Sequence, residues 1–344
     1  MNSTAVEANA APAAPAAAWP ERVFSGVQPS GLPHIGNYLG AFRNYIAMQE
    51  THEAIYCIVD YHALTSTHDG TLIRANTTEM ALDLLALGLD PERSVLFRQS
   101  DRPEHLELAW FFSSVVPVPW VERTPTFKEK MRSQPDDVNF ALLGYPVLQA
   151  ADIAIYKATH VPVGKDQDAH LELAREIVRA FNRRYGDVFP EPQAVYTESP
   201  VILGTDGVNK MSKSTGNVVE IFADEATIRK QIMSMVTDTQ RILRTQPGRP
   251  EVCNVCQLHR FFSPDDYETI WEGERTARTG CVDTKRLLAD RIIATFAEAR
   301  ERRAELAAKP GYVEEVLHAG AEKLAPIATE TMRQCHDLMG LGPR

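Results

Sequence analysis

The sequence lacks any apolar run approaching the roughly 18 residues needed to cross a bilayer, so a membrane-spanning helix is not expected. It is also poor in cysteine, with five in 344 residues: Cys57, Cys253, Cys256, Cys281 and Cys335. An odd number in a chain too long to need covalent staples points to reduced thiols in a cytoplasm. A basic surplus is missing too. The formal net charge of −10 argues against non-specific polyanion binding. A nucleic-acid partner stays open, because affinity for phosphates depends on local patches. Three basic runs qualify: Lys128, Lys130 and Arg132; Arg179, Arg183 and Arg184; Arg300, Arg302 and Arg303. The first twenty residues lack the basic start and leucine-rich segment of a secretion signal, and Pro12 and Pro15 interrupt their alanines. Residues 1–20 are expected to be a disordered Ala/Pro-rich extension.

What is present reads as a globular protein of two domains, with 44% hydrophobic and 24% charged residues. Arg22–Val27 is strand-like, and an amphipathic run follows with Tyr38, Phe42, Tyr45 and Ile46 at helical spacing. Next come the apolar run Ala54–Val59, a helical pattern over Thr77–Leu87 closed by Gly88, and strand-like Ser94–Phe97. Alternating strands and helices predict an α/β fold with a Rossmann-like, doubly wound parallel sheet. Asp168–Arg184 is another helix, with Gly186 beyond its end. After about residue 220 the pattern turns helical over Glu225–Met235, Asp283–Ala307 and Thr329–Met339. The expected division is therefore 21–220 and a helical 221–344, the last helix packing back on the first domain.

The first strand breaks into Gly26-Val-Gln-Pro-Ser-Gly-Leu-Pro-His-Ile-Gly-Asn37 and enters the first helix, where open α/β sheets bind ligands. Gly31 and Gly36 allow close backbone approach, and a helix amino end with free N–H groups favours phosphate. His34 and Asn37 are candidate donors to phosphoryl oxygens, and Gln28 to an α-phosphate. No Gly-Lys-Ser/Thr follows and no G-x-G-x-x-G is present, so this is neither common nucleotide fingerprint. Taken alone, a plain Pro/Gly turn also explains it. Far downstream, Lys210-Met-Ser-Lys-Ser214 follows the turn-rich Gly204-Thr-Asp-Gly207. Two lysines three apart make a cationic clamp suited to a leaving pyrophosphate.

Together these motifs resemble the class I aminoacyl-tRNA synthetases. His34-Ile-Gly-Asn37 is similar to the first family signature, with Asn37 in place of its final histidine, and Lys210–Ser214 is similar to the second without a mismatch. Phe24–Gly31, Cys57–Ala63, Phe127–Lys130, Tyr145–Ile153 and Val161–Gln167 look like the bacterial tryptophanyl branch, over roughly residues 22 to 344. The resemblance implies ATP with Mg2+ and L-tryptophan as substrates, tRNA(Trp) as partner, a homodimer, and a helical anticodon-binding domain over 221–344. It implies an ATP site of Gln28, Pro29, Ser30, Gly36, Asn37, Lys128, Gly164, Lys165, Asp166, Val201, Lys210, Met211, Ser212, Lys213 and Ser214, with His34, Asn37, Lys210 and Lys213 catalytic. It implies a tryptophan site of Phe24, Gly26, His62, Tyr145, Gln149, Asp152, Val161, Val163 and Gln167; Gln149 stands where many bacterial relatives carry an apolar residue.

An indole pocket needs an apolar slot and one buried acceptor for the ring N–H. Asp152, after the small pair Ala150-Ala151, is the candidate. A site built on that contact rejects phenylalanine by leaving its acceptor unpaired. Asp152 alone does not separate tryptophan from tyrosine, since tyrosyl enzymes are similar in placing a carboxylate near the phenol. A tyrosine ligase, a synthetase-like binding protein without catalysis and a small nucleotidyltransferase remain open as alternatives.

Cys253, Cys256, His259 and Cys281 have zinc-like content. Some tryptophanyl-tRNA synthetases resembling this chain bind a [4Fe–4S] cluster through four cysteines. Cys253 and Cys281 match the first and third, whereas Glu274 and Thr284 fall near the other two. A cluster needs four thiolates, so none is expected. Nor is zinc, because Cys253, Cys256 and His259 also suit one buried helix face.

Overall fold

The computed structural model describes residues 19–133, 138–164, 168–196 and 200–342, so the expected extension over 1–20 lies almost wholly outside the described residues. Five strands, β1 (Arg22–Val27), β2 (Glu53–Ile58), β3 (Val95–Arg98), β4 (His160–Val163) and β5 (Gln193–Tyr196), form one parallel sheet in the order β3-β2-β1-β4-β5. Phe24 lies opposite Ile55, Cys57 opposite Phe97 and Val161 opposite Ala194. The order reverses between β1 and β4, which opens a crevice at the carboxyl ends of the strands. Ala54 through Ile58 are all at most 2% exposed, as expected of a central strand covered on both faces. This is the Rossmann-like α/β sheet expected from the sequence.

The helices longer than six residues among the described residues are α1 (residues 35–48), α2 (Gly70–Leu87), α3 (Glu104–Ser113), α4 (Pro125–Ser133), α5 (Phe140–Ala154), α6 (Asp168–Tyr185), α7 (Glu225–Ser234), α8 (Asn254–Phe262), α9 (Tyr267–Arg275), α10 (Cys281–Thr295), α11 (Ala297–Ala307) and α12 (Tyr312–Met339). Helix α1 contains a π-helical turn over Tyr38–Phe42. Such a turn offsets the faces before and after it. Helix α2 starts seven residues earlier than its apolar periodicity indicates, because the Asp69 carboxylate accepts from the amides of Thr71 and Leu72 and caps it. Gly88 closes it at φ 113°.

The segment 283–307 is two helices rather than one, broken at Phe296, whose buried ring sits edge-on against Tyr38 with centroids 4.8 Å apart. Helix α12 runs 28 residues through Pro326, not eleven. Its Ala321, Leu324, Ala328, Met332 and Cys335 share one core with β1, α5 and α6, so packing outweighs the hydrogen bond the proline removes. Val313 and Leu317 join the opposite core with α1 and α2. A third core combines Ile35 and Leu39 of α1 with Met211, Val219, Ile221 and the inward faces of α7, α8 and α10. Residues 312–339 therefore clasp the sheet, while α7, α8 and α10 pack on the start of α1 and the segment 211–221.

Candidate active site

The turn after β1 is built by its own side chains. His34 caps α1: its Nδ1 accepts from the Asn37 amide at 3.3 Å, and the Asn37 Oδ1 accepts from the His34 amide at 3.1 Å. An accepting Nδ1 assigns the ring proton to Nε2. Burial, then the charges of Lys213 and Lys210, push the His34 pKa down to about 4, so the ring is a neutral donor at pH 7. A Cβ at Gly36 would lie 3.0 Å from the His34 Nδ1 and 3.5 Å from the Met211 Cβ, hence the glycine. Gly31 takes φ 84°, open to glycine at little cost.

The second motif is tied to the first through the backbone. The Ile35 amide donates to the Val219 carbonyl at 3.0 Å, the Ile221 amide to the Pro33 carbonyl at 3.2 Å, and His34 pairs with Glu220 in an antiparallel bridge. Within the loop, Leu203 bridges Lys210, and Asp206 accepts from the amides of Val208 and Asn209 and from the side chains of Asn209 and Asn217. Asn217 also takes the Ser212 amide at 2.8 Å. A Cβ at Gly204 would lie 2.1 Å from the Asn217 Nδ2, so only glycine lets the two loop arms meet. Met211 is buried in the third core and Lys210 is exposed. The Lys213 Nζ donates to the Ser30 carbonyl at 2.9 Å, spanning from one motif to the other. Burial lowers its pKa to about 8, against the opposing pull of Asp83 and Glu220. The Asn254 amide, at the start of α8, donates to the carbonyls of Leu203 and Gly204 at 3.0 and 3.1 Å and fixes the base of this loop.

These parts line one cleft of about 1800 Å3. Of the residues expected for the two substrates, Gln28, Ser30, His34, Gly36, Asn37, Gly164, Val201 and Lys210 through Ser214 line it, together with Phe24, Gly26, His62, Tyr145, Gln149, Asp152, Val161 and Val163. Pro29 is buried in the turn and off the lining. Lys128 is exposed on α4 and does not reach the cleft. Lys165, Asp166 and Gln167 lie outside the described residues. The structure adds Asn44, His170, Arg260 and Phe261 to the lining. The π-turn explains Asn44, and α8 carries the last pair. Neither has a local sequence signal.

The far end of the cleft is organised around Asp152 on α5, which is 2% exposed. The Gln99 Nε2 and the His105 Nδ1 each reach its Oδ1 at 2.7 Å, and the His62 Nε2 reaches its Oδ2 at 2.8 Å. Burial alone would raise its pKa, but the hydrogen bonds from His105 and His62 prevail and hold it at about 2. It is a fixed, ionised acceptor. Phe24 stacks on Tyr156 beside it, with centroids 6.0 Å apart, and the Tyr145 hydroxyl bonds the His170 Nε2 at 2.8 Å.

Near the cysteines, His259 spends both ring nitrogens, Nδ1 on the Ser263 hydroxyl at 2.9 Å and Nε2 on the Thr284 carbonyl at 3.1 Å. Glu274 is buried in an ion pair with Arg241 and accepts from the Thr284 hydroxyl. Among the described residues no cluster of three or more His, Cys, Asp or Glu is arranged for a metal ion. In the basic run 300–303, Arg302 pairs with Glu298, and Arg303 pairs with Glu79 and Asp83.

The family model described as tRNA synthetases class I (W and Y) matches residues 18–297, more than three quarters of the chain. The chain belongs to this family. The tryptophan–tRNA ligase of Deinococcus radiodurans is 44% identical over 325 residues, covering 93% of this chain and 98% of that one. That of Thermotoga maritima is 43% identical, covering 93% and 99%. The solved tryptophanyl-tRNA synthetase of Campylobacter jejuni, complexed with ADP and tryptophan, is 38% identical with a TM-score of 0.85, covering 93% of this chain and all of its own. In this chain the cleft lies at the carboxyl ends of β1 and β4, where the strand order reverses.

Proposed function

We propose that this chain is a tryptophan–tRNA ligase: it activates L-tryptophan with Mg·ATP and passes the aminoacyl group to the terminal ribose of tRNA(Trp) in the cytoplasm. One observation carries this reading: a buried carboxylate at one end of a cleft whose other end gathers a helix amino end, a neutral histidine and two lysines. The indole N–H donates to Asp152, with Phe24, Val161 and Val163 as the apolar slot, and Tyr145 and Gln149 flank the amino-acid end. In the first step a carboxylate oxygen of tryptophan forms a bond to the α-phosphorus while the bond to the bridging oxygen of pyrophosphate breaks. No protein nucleophile or base is required, because the attacking carboxylate is already ionised. The His34 Nε2–H, Asn37 and the two ammonium groups offset charge that grows on the phosphates, which is positioning and electrostatics. The second step transfers the acyl group to a ribose hydroxyl and releases AMP. In this reading residues 221–344 form the anticodon-binding domain and the enzyme acts as a homodimer, both carried over from the family resemblance.

Amino-acid-dependent ATP–pyrophosphate exchange tests the reading. Tryptophan should support exchange, tyrosine should be poor, and phenylalanine should be lower by roughly 10⁴-fold or more, because it leaves the buried acceptor unpaired. Equal exchange with tyrosine would move the chain to the tyrosyl branch. No exchange with any amino acid would leave a binding protein.

A further inference from the structure

Two of the three side chains that hold the acceptor, Gln99 and His105, do not line the cleft. A carboxylate offers about four lone-pair sites. The Oδ1 of Asp152 spends two on Gln99 and His105, and the Oδ2 spends one on His62, which leaves one site on Oδ2. Gln99 and His105 are both fully buried. Their own orientations are fixed in turn: the Gln99 Oε1 accepts the Tyr61 amide at 3.1 Å, and the His105 Nε2 meets the Tyr156 hydroxyl at 2.6 Å. Because the ionised carboxylate only accepts, the His105 Nδ1 must donate. A neutral ring then accepts at Nε2, and the tyrosine donates. The ring is also clamped between Phe97 and Tyr156, with centroids 5.8 and 5.3 Å away.

We propose that His105, backed by Gln99 and Tyr156, is the positioning residue that fixes Asp152 so that a single acceptor site faces the amino-acid ring. This rests on the reading of Asp152 as the indole acceptor. A freely rotating carboxylate would adapt to ring isosteres. One pinned on three sides presents one lone-pair site in one direction, so a ring without an N–H leaves it unsatisfied, at a cost set by desolvation.

The test uses pyrophosphate exchange with tryptophan and with its sulfur isostere, 3-benzothienylalanine, which keeps the shape and lacks the N–H. The wild-type enzyme should favour tryptophan in kcat/KM by 100-fold or more. His105→Leu should cut that ratio at least tenfold, chiefly through a raised KM for tryptophan, with the KM for ATP unchanged. Tyr156→Phe removes a single hydroxyl at constant shape and should cut it two- to fivefold, which keeps the test valid if His105→Leu fails to fold. A general loss of stability would lower both substrates equally and leave the ratio intact, and that result overturns the proposal. Asp152→Asn separates the two layers. If the wild-type enzyme and Asp152→Asn both accept the two rings alike, the acceptor reading itself fails. If Asp152→Asn loses discrimination while His105→Leu and Tyr156→Phe keep it, only the positioning role fails.

Discussion

Lys213 is held half-buried against the Ser30 carbonyl with its pKa lowered to about 8 by desolvation, so the free enzyme keeps an ammonium there at some cost. The sign follows from linkage: the unfolded chain binds the proton more tightly, so this strain is relieved as pH rises from about 8 toward the ordinary lysine value. In the exchange reaction kcat/KM for ATP should therefore fall above pH 8. Lys213→Arg should move that limb to higher pH, because a guanidinium does not deprotonate. His34 behaves differently. Its pKa near 4 means the unfolded chain is protonated first, so its stability contribution is complete above about pH 6.5 and is lost as pH falls toward 4. Thermal melts from pH 7 to 4 should show this loss, and His34→Gln should flatten that part of the curve. The residues proposed to carry charge to a phosphate were legible in the sequence, since two short motifs hold them. Gln99, His105, Asp206 and Asn217 were not, because each acquires its meaning from partners that only the fold brings near.

Among the elements, the legible ones were those with one clear apolar face, such as α6, or a continuous apolar run, such as β2. Strand β4 was hidden by Pro162, which cannot donate to a sheet ladder, and α12 by Pro326, which suggests a helix break in a sequence that packing then overrides. Helix α12 also depends on one close approach. A Cβ at Gly320 would lie 2.1 Å from the Leu96 carbonyl oxygen and 3.3 Å from the Phe97 Cβ. Gly320→Ala gains about 1 kcal/mol of helix propensity, but it drives the helix off β3 at a cost of about 1–3 kcal/mol or more. The net result should be a lower melting midpoint. An unchanged or higher midpoint would mean that α12 is free to slide. Asn254 is the comparable link between α8 and the lysine loop. Asn254→Ala removes two hydrogen bonds, one buried and one part-buried, worth about 1 kcal/mol each. It should lower kcat for exchange roughly tenfold, with tryptophan affinity unchanged.

Across the whole molecule, two motifs more than 170 positions apart are stapled by the His34–Glu220 bridge, and the third core makes them one body with α7, α8 and α10. On the proposed reading the cleft has two chemically separate ends, a pinned acceptor for a ring and a cationic cradle for a triphosphate. The measurement that decides this is pyrophosphate exchange by Asp152→Asn and Lys213→Ala, with the KM values for tryptophan and ATP and kcat resolved separately. Asp152→Asn should raise the KM for tryptophan tenfold or more and spare that for ATP, whereas Lys213→Ala should lower kcat by roughly 10²–10³-fold and spare tryptophan affinity. If both variants weaken both substrates to the same degree, the cleft does not have two ends, and the assignment of its residues fails.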